Sequence, residues 1–194
     1  MHNPPHDKEK RQRVICVFCG SAPGRNPRYA EAARQLGALL AANGFSLVFG
    51  GGNIGLMGEV ARAIRAGGAP VIGVLPAFLR HLEPPLKSAE ELIITPDLQQ
   101  RKGRMLALAD AFVILPGGLG TLDEYFEVLT SAQLHALGKP IVLVNVAGYF
   151  DPLKALLDHV VREGFAQESL FDLQHIVAGP EEAIAALLLK SPAA

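Results

Sequence analysis

Hydrophobic residues fall into short runs that are separated by longer amphipathic stretches. Seven runs rich in Val, Ile and Phe are predicted as strands, at residues 14–18, 45–49, 70–75, 92–95, 111–115, 140–145 and 175–178. Most of these runs are continuous rather than alternating, which is typical of strands covered on both faces. Six amphipathic stretches are predicted as helices, at residues 28–42, 56–66, 99–109, 121–137, 152–163 and 180–189.

The alternation of strand and helix predicts the fold class. It indicates an α/β protein with a single Rossmann-like, doubly wound and mostly parallel sheet of about seven strands, with helices on both faces. The domain is predicted to span residues 13–190, and residues 1–12 form a polar tail predicted to be disordered. Ligands of such sheets bind beyond the carboxyl ends of the strands. The loops of interest therefore follow Phe18, Phe49, Leu75 and Leu115.

Composition narrows the class of protein. The 194 residues are 49% hydrophobic and 19% charged, which fits one soluble globular domain and excludes a disordered or collagen-like chain. The net charge of −1 provides no global positive field for nucleic acid, and no local basic patch replaces it. The N-terminus lacks an apolar signal segment, and no apolar run approaches the roughly 20 residues of a membrane helix. We therefore expect no nucleic-acid partner, no membrane and no export.

Cysteine and histidine usage bears on compartment and metal binding. Cys16 and Cys19 are the only cysteines, so the chain has neither a disulfide framework nor a zinc ribbon. A reducing cytoplasm fits this usage best. The six histidines show no metal-ligand spacing, and a G-x-S-x-G nucleophile motif is absent. We expect no metal.

The loop after the second strand is rich in glycine. Gly50, Gly52 and Gly55 formally satisfy G-x-G-x-x-G, but residues 71–77 lack the acid that a dinucleotide site requires. The glycines either permit a tight turn and close helix packing, or expose backbone amides to a phosphate or ribose. The second interpretation fits better. The candidate phosphate or ribose contacts are Ser21, Gly51 and Gly52.

The loop after the fifth strand, residues 115–124, opens a long helix. Its amides and the positive end of the helix dipole converge on one point, which predicts an anion site. In this interpretation Thr121 caps the helix and offers a hydroxyl to phosphate, with Asp123 or Glu124 in the first turn. Alternatively, Thr121 and Glu124 form a T-x-x-E capping box that needs no ligand. Spacing alone does not separate the two.

A basic cluster, residues 100–104, lies near the start of the helix that precedes the fifth strand. Its three cations oppose the helix dipole, so the cluster is unfavourable unless something anionic compensates it. This favours a functional role. The alternative is a solvated basic surface.

These motifs together resemble the Lonely Guy (LOG) family of cytokinin-activating nucleoside 5′-monophosphate phosphoribohydrolases. The resemblance runs from about Val14 to Leu189 and rests on residues 19–21, 50–52, 55–58, 101–105 and 116–124. Some family members have carried a lysine-decarboxylase label, which would require pyridoxal phosphate on a lysine. Only seven lysines are present, and among them only Lys102 lies in a motif. That label is rejected.

The resemblance implies roles for individual residues. Arg101 and Glu124 would form the catalytic pair, with neither metal nor cofactor. Substrate contacts would come, in addition, from Glu83, Lys102, Gly118, Leu119, Gly120, Thr121, Leu122, Asp123 and Thr130. Glu83 is assigned by position alone, from the ungapped distance between Pro76 and Asp97.

The implied reaction is hydrolysis of the N-glycosidic bond of a purine nucleoside 5′-monophosphate, including N6-substituted adenine (cytokinin) nucleotides. The products are the free base and D-ribose 5-phosphate, so the activity is cytokinin activation or that of an AMP nucleosidase. Glu124 would stabilise an oxocarbenium-like transition state and orient water, and Arg101 would stabilise the departing base. The alternatives are a non-catalytic nucleotide-binding or sensor module, and a carrier or single-strand DNA binder. Retention of both Arg101 and Glu124 argues against the sensor, and the absence of Trp argues against the DNA binder.

Three positions depart from the family pattern, near the expected pocket wall and partner contact. Leu119 stands where Tyr is common, Gln99 where His is common, and Ser131 where Trp is common. These changes bear on the preferred base more than on the reaction. The resemblance also implies a homodimer, since the family pairs through helices near the active site. The predicted helix 121–137 has apolar residues on more than one face, unless it is simply central to the monomer core.

Overall fold

The structure is a computed structural model that describes residues 12–81 and 91–189. The strands are β1 (Val14–Phe18), β2 (Ser46–Phe49), β3 (Val71–Pro76), β4 (Glu91–Thr95), β5 (Ala111–Ile114), β6 (Ile141–Val144) and β7 (His175–Val177). The helices are α1 (Pro27–Ala42), α2 (Gly55–Ala66), α3 (Leu98–Leu108), α4 (Leu119–Gln133), α5 (Asp151–Arg162) and α6 (Pro180–Leu189). Glu83 and all but the last residue of the predicted tail lie outside the described residues.

All seven strands form one sheet, in the order β4-β3-β2-β1-β5-β6-β7, and every neighbouring pair is parallel. The chain proceeds outward from β1 to β4 and then returns to β5 on the other side of β1. The reversal places a switch point between β1 and β5, where the loops that follow these strands diverge. At this point the Gly20 N–H donates to the Pro116 carbonyl oxygen at 3.0 Å. The predicted doubly wound sheet is confirmed.

Helices cover both faces of the sheet, as predicted. Successive side chains of a strand point to opposite faces, and β1 divides accordingly. Ile15 and Val17 pack in a core with α1, α2 and α6, whereas Cys16 and Phe18 pack in a second core with α3, α4 and α5. Burial of these two cores supplies the main driving force for folding.

The two edge strands differ from the prediction that the strands are covered on both faces. In β4 only Thr95 is buried, and the three residues of β7 are all half-buried. Among the strands that the structure describes, each of these two has one neighbour in the sheet, so less of its surface is covered than in the centre. Within the described residues, no helix combines the length and the apolar character that crossing a bilayer requires.

Helix α4 begins two residues earlier and ends four residues earlier than predicted. Gly118 is the N-cap, and no side chain in the described part of the chain caps the helix. At the other end, the backbone leaves helical geometry after Leu134, since His135 has a φ of +57°. The predicted start at Thr121 was wrong because glycine at 117 and 118 lets the chain enter the helix earlier.

Candidate active site

The two residues of the implied catalytic pair meet between α3 and α4. Arg101 Nη1 lies 2.9 Å from Glu124 Oε1, and the two side chains are only 11% and 7% exposed. Arg101 Nε also donates to the Val74 carbonyl oxygen of β3, at 3.2 Å. The guanidinium is therefore held by two elements, and a strong charge-assisted contact aligns it with the carboxylate.

Gly50 lies directly under this guanidinium. A β-carbon at position 50 would overlap Arg101 Nη2 and lie 3.3 Å from Cζ. The absence of a side chain at Gly50 is thus what allows Arg101 to extend toward Glu124. Sequence reasoning singled out this glycine as part of a loop, but not this contact.

The rest of the glycine loop after β2, called here the first glycine loop, serves close packing. Gly55 has a φ of +52°, and a β-carbon there would overlap the backbone of Ser21. The Leu56 and Met57 amides at the start of α2 both donate to the Gly20 carbonyl oxygen, at 2.9 and 3.4 Å. A protein carbonyl therefore occupies the helix N-terminus, as the packing interpretation requires.

The three candidate ribose or phosphate contacts, Ser21, Gly51 and Gly52, differ in their surroundings. Gly51 has a φ of +81° and packs against β3, where a β-carbon would lie 3.2 Å from Cβ of Leu75. Gly51 and Gly52 are both buried. Ser21, by contrast, lines the cavity beside Glu124.

The N-terminus of α4 differs from that of α2. Within the described residues, the amides of Leu119, Gly120 and Thr121 have no hydrogen-bond acceptor, and the first bond of the helix is from the Leu122 amide to the Gly118 carbonyl oxygen. These amides and the helix dipole are therefore available to an anion.

Thr121 does not cap this helix. It is the third helical residue, is buried, and packs against Gly117, where a β-carbon would overlap its side chain. Asp123 and Glu124 lie beyond the first turn. The capping box of Thr121 with Glu124 was wrong, because the early start of α4 moves both residues inward and Glu124 pairs with Arg101.

Lys102 bridges α3 and α4 next to Arg101 and Glu124. Its Nζ lies 2.9 Å from Asp123 Oδ2 and 2.7 Å from Glu127 Oε2. The Glu127 hydrogen bond, ahead of the one to Asp123, raises the pKa of Lys102 against the opposing effect of burial. Protein carboxylates therefore compensate two cations of the basic cluster. Sequence reasoning missed Glu127, although its place one turn after Asp123 and Glu124 was a usable signal.

These elements enclose a cavity of about 180 Å³ at the switch point. Its lining is Cys19, Ser21, Met57, Arg101, Gly118, Leu119, Gly120, Thr121 and Glu124. The other predicted contacts within the described residues lie outside that lining: Gly51, Gly52, Lys102, Leu122, Asp123 and Thr130. Thr130 is exposed on α4, two turns beyond the cavity.

Cys19 was not predicted as a site residue, yet it forms part of the cavity wall. Burial raises the pKa of its thiol, and the nearby charge of Glu124 raises it further. Cys19 is therefore a neutral thiol at neutral pH and not a nucleophile.

The fold and the site define a class: a Rossmann-like α/β protein with a buried Arg–Glu pair and an open helix N-terminus at its switch point. A family model described as "Possible lysine decarboxylase" matches residues 57–187. The chain belongs to the LOG family, in which its relatives carry the name cytokinin riboside 5′-monophosphate phosphoribohydrolase.

Two curated relatives illustrate the similarity. The probable cytokinin riboside 5′-monophosphate phosphoribohydrolase LOGL2 of Oryza sativa subsp. japonica is 43% identical over 184 residues, covering 95% of this chain and 75% of that protein. The cytokinin riboside 5′-monophosphate phosphoribohydrolase LOG7 of Arabidopsis thaliana is 46% identical over 159 residues, covering 82% and 73%. The resemblance inferred from the motifs is confirmed.

Solved structures share the fold. The molybdenum cofactor binding protein from Rippkaea orientalis superposes with a TM-score of 0.70 at 26% identity, covering 93% of this chain and 97% of that one. The same architecture therefore also occurs in a protein that binds a different ligand.

Proposed function

We propose that this protein hydrolyses the N-glycosidic bond of purine nucleoside 5′-monophosphates, releasing the free base and D-ribose 5-phosphate. The observation that carries the proposal is the buried contact between Arg101 and Glu124, in the wall of a cavity that also receives the open end of α4. The names of the curated relatives support cytokinin nucleotides as substrates. We include AMP, which has the same ribose and phosphate.

The 5′-phosphate binds at the start of α4. The amides of Leu119, Gly120 and Thr121 donate to its oxygens, and the helix dipole favours its charge. Binding energy at the phosphate, remote from the bond that breaks, holds the anomeric carbon against Glu124.

Glu124 and Arg101 act on the two sides of the glycosidic bond. The carboxylate stabilises positive charge developing on the ribose and orients the attacking water. The guanidinium donates hydrogen bonds to the base as the base takes up the bonding electrons. The two groups are already aligned by their mutual contact and by the Val74 carbonyl, so little reorganisation is needed.

Decarboxylation of lysine finds no support in the residues. A lysine that forms a Schiff base with pyridoxal phosphate needs a lowered pKa. The carboxylates of Glu127 and Asp123 raise the pKa of Lys102 instead.

The non-catalytic sensor is likewise disfavoured, because its binding loops would not require a buried ion pair beside them.

We also propose a homodimer that pairs through α4. One face of this helix enters the core through Tyr125 and Val128, whereas another leaves Leu119 and Phe126 exposed. Leu119 is 86% exposed at the rim of the cavity, a position that a second copy would cover.

The two free cysteines, Cys16 and Cys19, support a reducing, cytoplasmic location.

The test is release of free base from AMP and from isopentenyladenosine monophosphate, followed by chromatography. Glu124→Gln and Arg101→Ala should each lower kcat/KM by about 100-fold or more, because each removes a group that acts in the transition state.

The control is a second Arg–Glu pair, between α1 and α2. Arg34 and Glu59 form an exposed ion pair at 3.1 Å, and neither residue lines the cavity. Arg34→Ala and Glu59→Gln should keep wild-type activity. No base release by the wild-type protein from either nucleotide, with nucleotide binding intact, would replace the hydrolase with the sensor module.

A further inference from the structure

A second cavity adjoins the proposed catalytic one. This aromatic cleft, of about 290 Å³, lies between the β1–α1 loop and the turn after β6, and Ser21 and Gly118 line both cavities. Its wall contains Tyr29 and Tyr149, whose rings meet edge to face at 5.4 Å. No role assigned above uses these tyrosines.

The Tyr149 hydroxyl donates a hydrogen bond to the carbonyl oxygen of Gly117. This bond joins a rigid side chain to the glycine loop after β5, called here the second glycine loop. The bond lies one residue before the open N-terminus of α4. Gly117 and Gly118 have no side chains to restrict the peptide between them, so an external contact is the means of selecting its orientation.

Tyr149 is itself held firmly. Its ring packs edge-on against Phe150, at 4.9 Å between centroids. The turn that carries it is closed by Asn145, whose Oδ1 accepts the Phe150 amide at 2.7 Å and whose Nδ2 donates to Asp151 at 2.7 Å. The hydroxyl is therefore presented to the loop at a defined position.

Because a peptide unit is planar, the bond to the Gly117 carbonyl oxygen also fixes the direction of the Gly118 N–H. In a trans peptide the carbonyl of Gly117 and the N–H of Gly118 point in opposite directions. With the carbonyl directed to Tyr149, the Gly118 N–H points away from the aromatic cleft. A flipped peptide would exchange the two groups, so that the Gly117 carbonyl oxygen would take the place of the Gly118 N–H. Gly118 lines the catalytic cavity, and a carbonyl oxygen there would repel a phosphate.

We propose that Tyr149 is a positioning residue: it fixes the Gly117–Gly118 peptide so that the second glycine loop presents only N–H groups to the 5′-phosphate. The inference rests on the proposed function for the identity of the anion. It concerns phosphate binding, however, and not the chemical step.

The test compares Tyr149→Phe with the matched control Tyr29→Phe, each of which removes one hydroxyl from the same pair of edge-to-face rings. Binding of ribose 5-phosphate and of adenine is measured by calorimetry on the full chain. Tyr149→Phe should weaken ribose 5-phosphate about five- to tenfold, the range expected for one hydrogen bond, and leave adenine unchanged. Tyr29→Phe should leave both unchanged. With AMP as substrate, KM should rise in Tyr149→Phe more than kcat falls.

Several results would overturn the inference. They are unchanged ribose 5-phosphate binding in Tyr149→Phe, an equal loss in Tyr29→Phe, an equal loss of adenine binding, or no binding of ribose 5-phosphate by the wild-type protein. If Tyr149→Phe does not fold, Asn145→Ala tests the same point by loosening the turn, with the same expected split between the two ligands. The wild-type protein could also release no base and yet bind ribose 5-phosphate in a way that depends on Tyr149. That result would refute the hydrolase and retain the positioning role.

Discussion

At Gly50 the lack of one carbon atom decides where an arginine can lie. The Arg101 guanidinium occupies the space that a side chain would take, and from there reaches Glu124. The glycine is not needed for its backbone conformation, since its φ is not positive. Its role is therefore local to the proposed catalytic pair.

Gly50→Ala should displace Arg101 and lower kcat/KM for AMP by about 100-fold, the scale expected when a reacting group moves by about 1 Å. The added carbon meets the end of a side chain and not the backbone, so the protein should still fold, with an unfolding temperature lowered by the loss of the buried contact to Glu124. Activity is measured by base release and stability by thermal unfolding.

Gly103→Ala is the matched control, because a β-carbon at Gly103 in α3 would have no atom of the described residues within 4 Å. It should keep activity and stabilise the protein by up to about 1 kcal/mol, since alanine favours a helix over glycine. Wild-type activity in Gly50→Ala would contradict the role of Gly50.

Tyr125 is a buried acid whose charge state depends on folding. Its hydroxyl donates to Gln174 Oε1 at 2.9 Å, and burial raises its pKa from 10.0 to about 12 despite the lowering effect of that bond. Below pH 10 both the folded and the unfolded state keep the proton. Between pH 10 and 12 only the unfolded state loses it, so the free energy of unfolding falls as the pH rises.

Tyr125→Phe should remove this alkaline sensitivity. Between pH 9 and 12 the free energy of unfolding of the wild type should fall by roughly 2–3 kcal/mol relative to that of the variant. Urea unfolding at a series of pH values measures it. Parallel curves for the two proteins would show that Tyr125 titrates alike in both states.

At the scale of elements, α3 and α4 are joined twice at the site. Arg101 and Lys102 on α3 face Glu124 and Asp123 on α4, and Glu127 adds a second carboxylate to Lys102. The Lys102 contacts thus hold the two helices in the relative position at which Arg101 meets Glu124.

Lys102→Met should lower the free energy of unfolding by about 1–2 kcal/mol, because it leaves the carboxylates of Asp123 and Glu127 side by side. This value lies between those typical of exposed and of buried ion pairs. The control is Lys154→Met on α5, which breaks an exposed pair with Asp158 and should change stability by less than about 0.5 kcal/mol. Urea unfolding compares them. Equal effects would mean that Lys102 does not join the helices more tightly than a surface pair.

At the scale of the whole molecule, the proposed dimer places the cavity rim at an interface. The exposed residues Leu119 and Phe126 lie two turns apart on one face of α4, as a helix that packs against a second copy requires.

Sedimentation at micromolar concentration should give about twice the chain mass of 20.6 kDa. Phe126→Glu should shift the protein toward the monomer, because it places a charge in an apolar contact. Leu188→Glu on α6, at a leucine that is 51% exposed on another face, should remain dimeric. A wild-type mass near 20.6 kDa would refute the dimer.

The sequence by itself determined the architecture and the location of the site. Runs of Val, Ile and Phe that alternate with amphipathic stretches are local signals, and they suffice for a parallel sheet with helices on both faces. The carboxyl ends of parallel strands share one edge, so the loops after β1, β2 and β5 were expected near one another. Motif resemblance then indicated Arg101 and Glu124.

Only the tertiary structure decided how those residues work. Whether Thr121 caps α4 depends on the backbone path through Gly117 and Gly118, which glycine leaves open. Whether the basic cluster needs a ligand depends on Asp123 and Glu127, about 20 residues further along the chain but within 3 Å of Lys102 in space. Contacts of this kind have no local signature, because they arise from the distances at which packed elements meet.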